Sequence, residues 1–280
     1  MRVDSHQHFW SMQRTDYQWK TPENVQLHRD FLPGDLRPHL EDGGIELTVL
    51  VQAAETEAET LFMLDIAKST PFVAGVVGWA DMTRADFGER MQLLSAYGAG
   101  YLKGMRPMVQ DYPDARWLAS PRLDHAFEFL AEHDYTFDAL VRPIQLQALH
   151  ERLIRSPDLR VVVDHAAKPL IAIGAIDEWA ADLRRIARDT RALCKLSGLV
   201  TEAAPSWTAA DIRPYVDVVL DAFGPSRILW GSDWPVLNCA SDYASWLALS
   251  ERLLEGLSDH DRSLVRGDNA VRFYGLAAPT

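Results

Sequence analysis

The chain has 280 residues, 48% of them hydrophobic and 24% charged, a globular composition with enough apolar material for a large core. Its formal net charge of -12 repels nucleic acid and anionic membrane, so neither is an expected partner. A mean hydropathy of -0.15 and the lack of a long uncharged apolar run exclude a helical membrane span. Asp4, His6 and His8 interrupt any signal-peptide core, and Cys194 and Cys239 supply neither a disulfide framework nor a metal-binding CxxC, so the expected location is a reducing cytoplasm.

Short β-type runs recur along the chain with helical patterns between them. Strands are expected at 2–4, 47–52, 72–79, 100–105, 135–141, 160–164, 194–199 and 227–231. Several are almost wholly apolar, such as Val161-Val162-Val163, which suits parallel strands covered on both faces. Between them, apolar residues repeat at helical spacing: Phe87, Met91 and Leu94; Leu123, Phe127 and Leu130; Trp179, Leu183 and Ile186; Ile212, Val216 and Val219. Thr56-x-x-Glu59 has the form of a capping box, Ser120-Pro121 that of a helix start, and Gly43-Gly44 that of a helix stop. Eight strands alternating with helices define an α/β chain folded as a (β/α)8 barrel, expected as one domain over 1–280. A doubly wound open sheet is the rival, but no GxGxxG turn follows any strand.

The segments leaving the strands, 9–32, 106–120, 199–208 and 234–240, are longer than those entering them. That is the side on which barrels carry their chemistry. Trp10, Tyr17, Trp19, Tyr112 and Trp117 in these segments are expected to pack over the mouth, because aromatic rings are costly to leave in water.

Candidate chemistry concentrates at the same ends. His6 and His8 are one residue apart, so extended backbone aims both imidazoles one way, just past the first strand. Such a pair is either a metal or acid–base site or a hydrogen-bonded pair that orders a loop. His165 stands where the apolar run of the sixth strand stops, and Asp233 follows Gly231, whose small size lets backbones come close, at the end of the eighth. Four such residues converging from three strands favour a functional site. Lys103 and Arg106, near the fourth strand's end, are candidates to bind a carboxylate or polarise a carbonyl, although Lys103 has the alternative of pairing with Asp138. Ser197 is a candidate substrate contact or a simple turn residue, and His28 a weaker candidate. His125, His133, His150 and His260 belong to the surface.

An HxH after strand 1, a histidine after strand 6 and an aspartate after strand 8 resemble the amidohydrolase superfamily. The phrases Asp4-Ser5-His6-Gln7-His8-Phe9-Trp10, Leu102-Lys103-Gly104-Met105-Arg106-Pro107 and Val163-Asp164-His165-Ala166-Ala167-Lys168-Pro169 are similar to its sugar-acid lactonase branch. So are Cys194-Lys195-Leu196-Ser197-Gly198, Trp230-Gly231-Ser232-Asp233-Trp234-Pro235 and Asn269-Ala270-Val271-Arg272-Phe273-Tyr274. That branch holds L-fuconolactonase- and L-rhamnonolactonase-type enzymes and the related 2-pyrone-4,6-dicarboxylate lactonase. The resemblance implies hydrolysis of a small sugar lactone. Asp233 would be the general base, and His165 with Lys103 or Arg106 would stabilise the oxyanion. Trp10, Gln52, Trp79 and Trp234 are the expected substrate contacts. Strand 5 lacks the histidine of the superfamily's two-metal sites. One zinc-like divalent ion on His6, His8 and Asp233, with His165 as a further ligand, or metal-free catalysis, is therefore implied. A metal-dependent decarboxylase, an amide hydrolase and a barrel that only binds ligand remain as alternatives.

Overall fold

The computed structural model describes residues 1–17, 19 and 21–277. Eight parallel strands form one sheet in sequence order: β1 (Val3–Gln7), β2 (Leu47–Val51), β3 (Val73–Gly78), β4 (Leu102–Met105), β5 (Thr136–Ala139), β6 (Arg160–Val163), β7 (Leu193–Leu196) and β8 (Ile228–Trp230). The barrel closes between its first and last strands, where the Asp233 amide donates to the His6 carbonyl at 2.8 Å and that of His8 to the Trp234 carbonyl at 2.8 Å. This is the (β/α)8 architecture. No helix among the described residues is long and apolar enough to cross a membrane.

The helices on the outside are α1 (Pro33–Gly43), α2 (Glu57–Ser69), α3 (Phe87–Gly98), α4 (Asp124–Glu132), α5 (Leu146–Arg155), α6 (Asp177–Asp189), α7 (Ala209–Phe223) and α8 (Tyr243–Leu253). The four apolar stripes named above are all buried against the strands, as the 3.6-residue period requires. Gly44 ends α1 at φ +62°, a conformation that suits glycine. Thr56 caps α2 by accepting the Glu59 amide at 3.0 Å. Only half of the expected capping box forms: the Glu59 carboxylate accepts the Ala53 amide at 3.2 Å and the Tyr17 hydroxyl instead.

Two layers of core result. The larger lies between strands and helices. The smaller fills the barrel interior with Val3, Leu47, Val49, Val51, Val77, Val162 and Leu229. Its floor is the C-terminal segment. Two short helices, α9 (Asp259–Ser263) and α10 (Asn269–Tyr274), place Phe273, Tyr274 and Leu276 against those valines and leucines. Asn269 fixes this floor by donating to the carbonyls of Pro225 and Ile228, each at 2.8 Å.

The observed strands are mostly shorter than the sequence suggests, because apolar residues beyond each end continue into buried loops. The exception is β1, which runs on through Gln7. His6 is thus a strand residue inside the barrel rather than one beyond the strand's end. The long loops pack on one another: Trp10 meets Trp19 at 4.7 Å and Phe31 at 5.1 Å between ring centres, and Phe31 meets Trp234 at 5.3 Å. Tyr112 and Trp117 pair edge-on at 4.9 Å.

Leu183, fully buried on α6, tests how tightly this layer is packed. Leu183→Ala is expected to lower unfolding stability by about 2–5 kcal/mol, read as a shifted denaturant midpoint with an unchanged slope.

Candidate active site

His6, on β1, and His8, just after it, turn their Nε2 atoms toward each other at 3.2 Å. Asp233, after β8, brings its Oδ1 to 3.3 Å from Nε2 of His8 and 3.7 Å from Nε2 of His6. His165, after β6, adds its Nε2 at 3.7 Å from the same oxygen. The four residues expected from three strand ends therefore do converge.

The backbone that carries them is unusual in ways the sequence explains only in part. His165, Ala166, Ala167 and Lys168 run consecutively at φ of 49–60°, a left-handed turn that L-residues avoid. Asp233 also sits at φ +59°. Strain of this kind is held only where the surroundings over-determine it, and it aims both side chains inward. Glycine makes room at two points. A Cβ on Gly231 would lie 2.9 Å from Cβ of His6, and one on Gly198, at φ +63°, would lie 2.6 Å from Nδ1 of His165.

Each imidazole is oriented through Nδ1. His8 Nδ1 donates to the Val51 carbonyl at 2.7 Å, and His165 Nδ1 is 2.9 Å from the Ser197 hydroxyl. Both arrangements leave Nε2 facing the cluster. Ser197 thus contacts His165 and positions it. His6 is held from below by Lys195, whose Nζ lies 3.0 Å from Nδ1. The same ammonium is 2.6 Å from Asp138 and 3.0 Å from Asp164, with all three charged groups wholly buried.

Arg106 is brought in as well. Its Nη1 lies 3.3 Å from Nε2 of His6 and 3.7 Å from Asp164, and its Nη2 donates to the Gln52 carbonyl. Gln52 returns a bond from Nε2 to the Arg106 carbonyl at 2.5 Å.

Other expectations are redirected. Lys103 does not reach the cluster: it lies near the start of β4, and its Nζ donates to the Gly275 carbonyl at 3.2 Å, beside the floor. It precedes Arg106 by three residues and lies toward the opposite end of β4, and the cationic partner of Asp138 is Lys195. Trp10 and Trp234 are fully buried in the loop aromatic cluster, with Trp10 Nε1 donating to the Arg29 carbonyl at 2.9 Å. Trp79, just after β3, is only half-buried, and its backbone N–H and C=O both pair with the Thr60 hydroxyl at 2.8 Å.

Lys195, Asp138, Asp164 and Tyr274 were not singled out from the sequence as a unit. The available signal was charge inside apolar parallel strands, which burial makes unfavourable without a partner.

Burial and charge set the protonation pattern. Burial pushes the His165 pKa down to about 4, with Asp233 and Asp164 only partly opposing it. Burial and the Lys195 charge hold His6 well below its usual value. Burial also works against ionisation of Asp233, but the surrounding imidazoles of His165, His6 and His8 outweigh it and keep the carboxylate ionised. Neutral imidazoles beside an ionised carboxylate are the donor chemistry a divalent cation needs. Ligand atoms of His6, His165 and Asp233 lie within 4.8 Å of one another, so one divalent metal fits. His165, the further ligand expected from the sequence, takes part in this trio, and His8 stands beside it with its Nε2 adjacent to two members.

The barrel mouth thus gathers two strand-1 histidines, a strand-6 histidine and a strand-8 aspartate into one inward-facing cluster. The chain belongs to the amidohydrolase family, whose sequence profile it matches over residues 3–276. It is 42% identical to an L-fucono-1,5-lactonase of Burkholderia ambifaria, with all of this chain and 97% of the relative aligned. It is 36% identical to the L-fucono-1,5-lactonase of Burkholderia multivorans over the same shares of each chain. A crystal structure of a Burkholderia multivorans amidohydrolase with bound zinc superposes with a TM-score of 0.92 at 36% identity, covering 99% of this chain and 100% of that one.

The tight approach at Gly198 gives a direct check of site packing. Gly198→Ala is expected to cost at least about 1–2 kcal/mol from the left-handed backbone alone. It should also break the Ser197–His165 contact, read by thermal melting and by the crystal structure of the variant.

Proposed function

We propose that this protein hydrolyses the lactone of a sugar acid, an aldonolactone of the L-fucono or L-rhamnono type, to the open-chain acid. The observation that carries the reading is an ionised Asp233 within 4 Å of three imidazole nitrogens in a chain 42% identical to an L-fucono-1,5-lactonase.

A lactone is a cyclic ester, so ring opening needs an activated water, a polarised carbonyl and a proton for the leaving alkoxide. Asp233 accepts the proton of the attacking water, which its ionised state allows. Arg106, held at the mouth by the Gln52 carbonyl, offers fixed positive charge to the developing oxyanion. His165, neutral and steadied by Ser197, packs its ring 4.4 Å from that of His6 with Nε2 3.7 Å from Asp233, and completes the donor set around the carbonyl. Once the water proton is on Asp233, the same carboxyl can return it to the alkoxide. A bound divalent ion, held by His6, His165 and Asp233 with His8 adjacent, would polarise the carbonyl and lower the pKa of water.

Gln52 Oε1 and Arg106 Nε are buried with no hydrogen-bond partner among the described residues. Buried polar groups without partners are rare, so both are available to the hydroxyls or ring oxygen of the sugar. Gln52 and Trp79 are the substrate contacts this reading retains. Trp10 and Trp234 shape the wall behind them. The partner is thus a small lactone, and the two free cysteines fit a reducing cytoplasm.

The test is acid release from a panel of aldonolactones. L-Fuconolactone and close stereoisomers should be opened, and no turnover of any member would overturn the reading. Asp233→Asn should lower kcat by about 10²–10⁴-fold while leaving the thermal melt in place. Calorimetric titration with zinc should show one site in the wild type, weakened at least about tenfold in the same variant.

A further inference from the structure

The rim beside the imidazole cluster is tied together across a strand. β3 lies between β2 and β4, and both neighbours bond to its end as they leave the sheet. The Gln52 amide donates to the Val77 carbonyl and the Arg106 amide to the Gly78 carbonyl, each at 2.9 Å. Beyond that point the segments after β2 and β4 bond each other directly. Gln52 and Arg106 exchange two bonds, each from a side chain to the other's carbonyl. Three residues further on, Oε1 of Glu55 accepts the Met108 amide at 2.7 Å and also the Tyr112 hydroxyl. Burial and the Glu55 charge raise the Tyr112 pKa, so the hydroxyl stays a donor.

Hydrogen bonds to an ionised carboxylate are roughly twice as strong as neutral ones, so Glu55 grips the second segment firmly. Glu55 itself follows an anchored stretch. The Ala53 amide donates to Glu59 at 3.2 Å, and the Ala53 carbonyl accepts the Trp19 indole at 2.6 Å. From Met108 back to Arg106 the chain is short and stiff, because Pro107 locks its own φ and confines Arg106 to extended backbone. A shift of the Met108 amide therefore moves the base of the Arg106 side chain. At the other end of that side chain, Nη1 lies 3.3 Å from His6 and 3.7 Å from Asp164. Nε has no hydrogen-bond partner among the described residues, so the backbone shares in fixing where the guanidinium sits.

We propose that Glu55 is a positioning residue: by holding Met108 and Tyr112 it sets the place of Arg106 at the barrel mouth. On the lactonase reading above, on which its catalytic meaning rests, a guanidinium fixed in this way meets the developing oxyanion without reorganising. Glu55 acts through Arg106 and not on the reacting atoms.

Kinetics of the full chain supply the first test. Glu55→Ala should lower kcat for L-fuconolactone by about 10–100-fold with KM within about threefold, as for a misplaced charge used mainly in the transition state. Glu55→Gln keeps an oxygen able to accept both donors and should stay within about threefold of the wild type. In an Arg106→Met background, Glu55→Ala should cost less than about threefold more, since no guanidinium is left to misplace. A loss that simply adds in that background overturns the proposal, and so does a Glu55→Gln variant as impaired as Glu55→Ala.

A second readout needs no substrate. In 15N-arginine-labelled protein the Arg106 Nε–H signal, assigned by its loss in Arg106→Met, should show a high heteronuclear NOE in the wild type and in Glu55→Gln. In folded Glu55→Ala the signal should shift and its NOE fall, the mark of a side chain freed on the picosecond–nanosecond timescale. Tyr112→Phe removes one of the two bonds and serves where Glu55→Ala does not fold; it should lower both the NOE and kcat, and a change in neither overturns the proposal. A loosened Arg106 in a protein that opens no aldonolactone supports the role of Glu55 and overturns the lactonase reading. An Arg106 signal unchanged in folded Glu55→Ala, with normal wild-type turnover, overturns the role of Glu55 alone.

Discussion

Placing Lys195, Asp138 and Asp164 inside the barrel, with no exposure to water, constrains much of what surrounds them. Charges taken out of solvent are tolerated only when each finds its partner, and breaking such a set by deleting one member typically costs about 3–5 kcal/mol. The three groups come from β5, from the residue just after β6, and from β7. The parallel register of β5, β6 and β7 is therefore coupled to their pairing: a slip of one residue would turn a charge toward the helices. Both carboxylates face Lys195 and Asp164 also faces Arg106, while burial holds the pKa values of His6 and His165 down.

The C-terminal segment belongs to this arrangement as much as to the fold. Tyr274 is part of the inner apolar core and also bonds Asp138, so the floor of the barrel and the base of the site share one residue. At the opposite end the loops form a wall of packed aromatic rings in which Trp234, adjacent to Asp233, meets Phe9 and Phe31. The site is thus held between two rigid layers. Very little of His8, Asp233 or His165 reaches solvent, at 2–4% exposure. Preorganised donors of this kind gain strength from the exclusion of water.

A shared barrel fold speaks only to the architecture. What narrows the chemistry is the local set: one carboxylate, three oriented imidazoles and an arginine with an unused donor. Strand 5 contributes Asp138 to Lys195 rather than a histidine to the mouth, which is the physical reason that a second metal position has no ligand there.

The sequence by itself determined the alternation of strands and helices, and with it the barrel, because the periods of 2 and 3.6 and the apolar runs are local properties. It also marked His6, His8, His165 and Asp233, since polar residues where an apolar strand run stops lie toward the carboxyl-end face of a barrel. Only the tertiary structure decided what lies beneath and beside them. Lys103 and Lys195 are equally visible in the sequence, but their opposite fates depend on strand register and on a C-terminal segment that closes the barrel floor. Whether Trp10 and Trp234 face a ligand or one another likewise depends on how long loops fold together. The pairing of buried charges and the seating of aromatic rings are nonlocal, and their free energy exists only once distant strands have been brought into contact.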